Sequence, residues 1–173
     1  MRCNVEAWVL LTAAILLVEP AAAVLGPGAK FPDFSVRDQN TKYWTLGDFA
    51  GERVLFWWCP GGREPGCRKQ ASGFAKLTDS FKEKGVEAIG ISAFTQGKNK
   101  DFTNKNKFRF TLLSDEARSI SKAVGIKDDH WAALVSADGV IEKLWTAVKD
   151  PIEFPNVALG SLDPSKSSSR EEL

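Results

Sequence analysis

The sequence predicts an α/β protein with a central mixed β-sheet flanked by helices. Three observations predict it. An uninterrupted apolar run, "RVLFWW" (residues 53–58), has the length and flanks of a strand buried on both faces, and "VEAIGIS" (residues 86–92) reads as a second buried strand. The stretch between them switches to a helical period, with Phe74, Leu77, Thr78 and Phe81 at i, i+3, i+4 and i+7. Further on, "WAALVSADGVIEKLW" sets two apolar strands around an Ala-Asp-Gly turn.

Each element follows from local chemistry. "FSVRD" reads as a short strand and "QNTK" as the turn after it. "TLGDFAG" is a short helical turn stopped by Gly51. "RVLFWW" comes next, closed by Pro60. Pro65 suits a first helical position and Gly85 a C-terminal stop, so one amphipathic helix links the two buried strands. After "VEAIGIS", the sequence predicts a polar helix over "KNKDFTNKNK", a short strand in "FTLLSD", and a helix in "EARSISKAVGI" with Gly125 near its end. The order is β, βα, βα, βα and a β-hairpin. "DPIEFP", residues 150–155, carries two prolines that are expected to interrupt any closing helix.

The ends of the chain read as addresses. Residues 1–23 have an arginine, an apolar core and small residues suited to cleavage after Ala23, the pattern of a removed signal peptide. The final "REEL" is similar to the KDEL and HDEL tetrapeptides read in the endoplasmic reticulum. The expected organisation is a signal over 1–23, one domain over 24–156 and a flexible tail over 157–173. The expected location is the endoplasmic reticulum lumen, with plastid or secreted as alternatives. With 23 basic and 22 acidic residues, nothing points to a nucleic-acid surface or, after signal removal, to a membrane. Six tryptophans against one tyrosine are unusual; Trp57 and Trp58 read as core of a two-faced strand, Trp131 as the rim of a site.

Cys3 leaves with the signal, so Cys59 and Cys67 remain. They form one bridge, two buried thiols or a reactive site. Cys67 falls in the first turn of the predicted helix, where unpaired N–H groups and the helix dipole favour a thiolate. Arg63, Arg68, Arg109 and Arg118 are candidate sources of further positive charge. The plainer reading of the same cysteine is a buried, inert thiol.

"GAKFPDFSVRDQ", "CPGGREPGCRKQASGF", "KEKGVEAIGIS" and "FTLLSDE" together resemble a peroxiredoxin of the AhpC/TSA type, nearest the Q-type or bacterioferritin-comigratory-protein subgroup. The resemblance runs from about Gly28 to about Val148. It implies a thioredoxin-like fold, monomeric in many members, with Cys67 as the peroxide-reducing cysteine and Pro60 as the conserved start of its motif. Three positions depart from the family pattern. Glu64 replaces the motif threonine, and a carboxylate there is expected to disfavour the thiolate. His130 stands where the family has an arginine; as imidazolium it would partly substitute, with activity falling as pH rises. Ser72 occupies the usual place of the resolving cysteine, leaving Cys59 as the remaining thiol, read as a strand-end core residue.

The leading expectation is a one-cysteine thiol peroxidase acting on hydrogen peroxide or an organic hydroperoxide. Glutathione or a thioredoxin-like protein would reduce its sulfenic acid, and no metal, haem or flavin is implied. One alternative is a low-activity relative that works in binding, as a chaperone or in redox sensing. A second is a thiol–disulfide exchanger using Cys59.

Overall fold

The computed structural model describes residues 23–60, 65–126 and 129–162. Residues 1–22 of the expected signal, Arg63, Glu64 and the REEL ending lie outside the described residues.

Seven strands form one mixed sheet in the order β2-β1-β5-β4-β3-β6-β7. They are β1 (Ser35–Asp38), β2 (Tyr43–Thr45), β3 (Arg53–Cys59), β4 (Val86–Ser92), β5 (Leu112–Ser114), β6 (Ala132–Val135) and β7 (Ile141–Trp145). Helices α1 (Pro65–Glu83), α2 (Gln96–Asn106), α3 (Ser119–Val124) and α4 (Phe154–Gly160) complete the layers. The two apolar runs are the central pair: β3 and β4 lie parallel, joined through α1, and Cys59 at the end of one pairs with Ser92 at the end of the other. The predicted hairpin is β6–β7, its turn closed by Ser136 N–H donating to the Val140 carbonyl at 2.8 Å.

Alternation along β3 divides the interior in two. Val54, Phe56 and Trp58 face a cluster with Phe31, Ile91 and Trp131. Leu55, Trp57 and Cys59 face the α1 side, with Phe74, Phe81 and Cys67. Trp57 stacks on Phe74 at 4.8 Å, and Trp58 on Trp131 at 6.0 Å. Both expected core tryptophans are core. Trp131 is a correction: it is fully buried, and its indole N–H donates to Ser121 Oγ at 3.1 Å.

The β1–β2 hairpin contains a strand, β2, that sequence reading passed over. Its turn is organised by the buried Asp38 carboxylate, which accepts from the Asn40 and Lys42 N–H groups and from Trp44 Nε1. The two prolines of residues 150–155 also behave differently from expectation. Pro155 occupies the first turn of α4, where a missing N–H costs no intrahelical bond. The helix then runs past the boundary expected at 156.

Gly90 lets the α1 side close. A Cβ there would stand 2.6 Å from Trp57 Cζ2 and 2.7 Å from Leu112 Cδ1, inside contact distance of two packed side chains. Gly90→Ala is expected to cost about 1–3 kcal/mol through overpacking. Chemical denaturation would read this as a lower midpoint at unchanged slope.

Candidate functional site

The site lies at the carboxyl edge of the parallel strands, where open α/β sheets gather their functional groups. Three short pieces of chain meet there: the end of β3, the first turn of α1, and the residues entering β6. Pro60 follows β3 directly and prevents the strand from continuing its ladder.

Cys67 is the third residue of α1 and is only 2% exposed. Cys59, 5% exposed, closes β3 on the same face. The two are joined in a disulfide with a Cα–Cα separation of 5.5 Å, inside the range such a bond accepts. This corrects the expectation of a lone core thiol at Cys59. The physical reason is parity. Cys59 shares the facing of Leu55 and Trp57, and that facing is toward α1. A small apolar cavity abuts the bridge, walled by Trp57, Ser92, Phe94 and Phe102.

His130 approaches from the other side. The antiparallel β3–β6 ladder pairs Trp57 with Ala132, and Trp58 N–H donates to the Trp131 carbonyl at 2.8 Å. Continuing that register sets His130 opposite Cys59. Its ring lies against the helix start: His130 Nε2 is 3.7 Å from where a Gly66 Cβ would stand, and Pro151 Cγ is 3.5 Å from the same point. On its other edge, His130 Nδ1 lies 3.0 Å from Gln70 Oε1. An amide oxygen only accepts, so the ring donates from Nδ1.

Gln70 is the residue that sequence reading missed. It is fully buried one helical turn after Cys67, and its Nε2 has no hydrogen-bond partner among the described residues. Its signal was present: Gln70 is a polar residue on the stripe that carries Cys67, Ala71 and Phe74.

Of the candidate arginines, Arg68 is exposed one residue after Cys67, Arg109 is exposed between α2 and β5, and Arg118 is half-buried at the head of α3. Arg118 belongs to the β5 end of the fold, where its N–H donates to the Asp115 carbonyl. Among the described residues, no group of three or more His, Cys, Asp or Glu side chains is placed to hold a metal.

Residues 27–144 match the AhpC/TSA family. The chain is 38% identical over 107 residues to the chloroplastic peroxiredoxin Q of Oryza sativa subsp. japonica, covering 62% of this chain and 49% of that one. It is likewise 38% identical over 112 residues to the chloroplastic peroxiredoxin Q of Arabidopsis thaliana, covering 65% and 52%. The chain thus spans about half the length of these relatives. Among solved structures, peroxidoxin BcpB from Mycobacterium tuberculosis superposes with a TM-score of 0.74 at 22% identity, covering 80% of this chain and 96% of that one. Peroxiredoxin Q of Xanthomonas campestris gives 0.72 at 22% identity, covering 83% and 97%. At such identities the two structures speak for the fold, which is thioredoxin-like. Taken with the match over most of its length, they make the chain a member of the AhpC/TSA family of peroxiredoxins, standing with the peroxiredoxin Q and bacterioferritin comigratory protein branch.

Proposed function

We propose that this protein is a thiol peroxidase in which Cys67 is the nucleophile. The observation that carries the reading is the seat of Cys67 in the first turn of a 19-residue helix, at the carboxyl edge of the parallel strands. A reduced thiol seated in a first helical turn lies near unpaired backbone N–H groups, which favour the thiolate over the thiol. The thiolate attacks one peroxide oxygen and the O–O bond breaks. Water or an alcohol leaves after taking up a proton, and Cys67 is left as sulfenic acid.

His130 has the place to assist. Held through Nδ1 by Gln70, it presents its other edge to the start of α1. As imidazolium it would donate from Nε2 to the departing oxygen and stabilise the thiolate by its charge. Pro60 turns the chain away from β3 and so shapes the loop in front of the sulfur. Glu64, a carboxylate three residues before Cys67, works against thiolate formation. The proposed substrates are hydrogen peroxide or organic hydroperoxides, and the proposed reductant is a thioredoxin-like protein or glutathione.

The test is stopped-flow consumption of hydrogen peroxide by the reduced chain, compared with free cysteine. The proposal expects a rate well above the free thiol. It also expects Glu64→Thr to raise that rate by up to about tenfold, the effect of moving a thiol one pKa unit closer to ionisation. A wild-type rate equal to that of free cysteine would remove the enzyme reading and leave the low-activity alternative. The Cys59–Cys67 bridge gives weight to one other reading, thiol–disulfide exchange. That reading would show as oxidation of an added dithiol by the bridged protein, with no peroxide reactivity in the reduced one.

A further inference from the structure

We propose that Cys59 is the resolving thiol of this peroxidase, and that it closes the catalytic bridge while α1 remains folded. The inference rests on Cys67 acting as the nucleophile and goes beyond it to how the oxidised enzyme is returned. Peroxide leaves Cys67 as sulfenic acid. The Cys59 thiol then attacks that sulfur, the S–O bond breaks, the oxygen departs with two protons as water, and the Cys59–Cys67 disulfide remains. An outside dithiol supplies two electrons and two protons to restore both thiols, and is itself oxidised to a disulfide.

The geometry supports each part. In the bridged state α1 is complete from Pro65, with Cys67 within its first turn. The Cα–Cα separation of 5.5 Å needs no unwinding to bring the sulfurs together. A partner at Ser72 could not do this. Five residues along the same helix, it is displaced by roughly 7.5 Å on the axis and turned well away around it. Cys59 instead comes from a neighbouring element, fixed by the β3–β4 and β3–β6 ladders on the same face of the sheet as α1. A small apolar cavity lies beside the bridge, between Trp57, Phe94 and Phe102.

The experiment uses the full chain carrying Cys3→Ser, so that Cys59 and Cys67 are the two thiols present. The reduced protein receives one equivalent of hydrogen peroxide with dimedone in solution, is quenched with an alkylating agent, and is weighed intact. Expected for the parent is a mass two hydrogens lighter and no dimedone adduct. With Cys59→Ser the dimedone adduct appears on Cys67, and steady turnover with a dithiol falls by roughly tenfold or more. Cys59→Ala serves as the second variant should a buried hydroxyl disturb folding, which a thermal melt would reveal. A dimedone adduct of equal yield in the parent would overturn the role of Cys59 while leaving the peroxidase intact. Absence of peroxide reaction in the parent and both Cys59 variants would overturn the peroxidase reading and this one with it. Far-UV circular dichroism adds a readout independent of activity. Superimposable helix signals before and after oxidation are expected, and a loss of helix on bridging would overturn the folded route.

Discussion

Cys67→Ser is expected to lower the rate of peroxide consumption by about three orders of magnitude, the loss of about 4 kcal/mol of transition-state stabilisation. The argument is one of ionisation. A helix N-terminus can draw a thiol to its anion near neutral pH, but a hydroxyl stays protonated there and is a poor nucleophile toward oxygen. Cys59 lies at the end of β3, outside the first turn of α1 that favours a thiolate. The substitution also removes the bridge and leaves a hydroxyl at a position only 2% exposed. Cys67→Ala therefore accompanies it, and both are followed by thermal melting. Equal loss of rate in two folded variants assigns the chemistry to the sulfur. Retention of rate in either would assign it to another residue.

The second large effect is structural. Trp57→Ala is expected to destabilise the fold by about 3–5 kcal/mol, the range for removing a fully buried large aromatic. Trp57 is 1% exposed, stacks on Phe74, meets Phe110 edge-on and covers Gly90. No single neighbour can collapse into the space it would leave. Trp57→Phe provides the contrast. Its ring can keep the stack on Phe74, and it discards an indole N–H that has no partner among the described residues. Its cost should be less than half that of alanine, read from denaturant midpoints of the two variants. A phenylalanine variant as unstable as the alanine one would mean that the indole's full width is required.

Much of this molecule was legible because its central elements are dictated locally. The two apolar runs, the helix between Pro65 and Gly85 and the closing hairpin appear where periodicity places them. What escaped depended on facing or on side chains folding back. The three-residue β2 is short and half-exposed, and exists through the Asp38 carboxylate as much as through its own propensity. Trp131 was expected at the site because it adjoins His130. In extended chain, however, neighbours point to opposite faces, so a site-facing His130 requires a core-facing Trp131. The same parity held the answer for Cys59, which repeats the facing of Leu55 and Trp57. Gln70 needed the histidine ring beside it before its polarity made sense.

The Cys59–Cys67 bridge spans a sequence separation of only eight. A crosslink over so short a loop restricts the unfolded chain little, and its presence is worth about 2–3 kcal/mol. Beneath it lies the sheet, and on the far side of the sheet a second aromatic core holds no sulfur at all. Reduction therefore removes a clasp rather than a girder. On the proposed route this bond opens and reseals at every turnover while the architecture around the thiol stands unchanged.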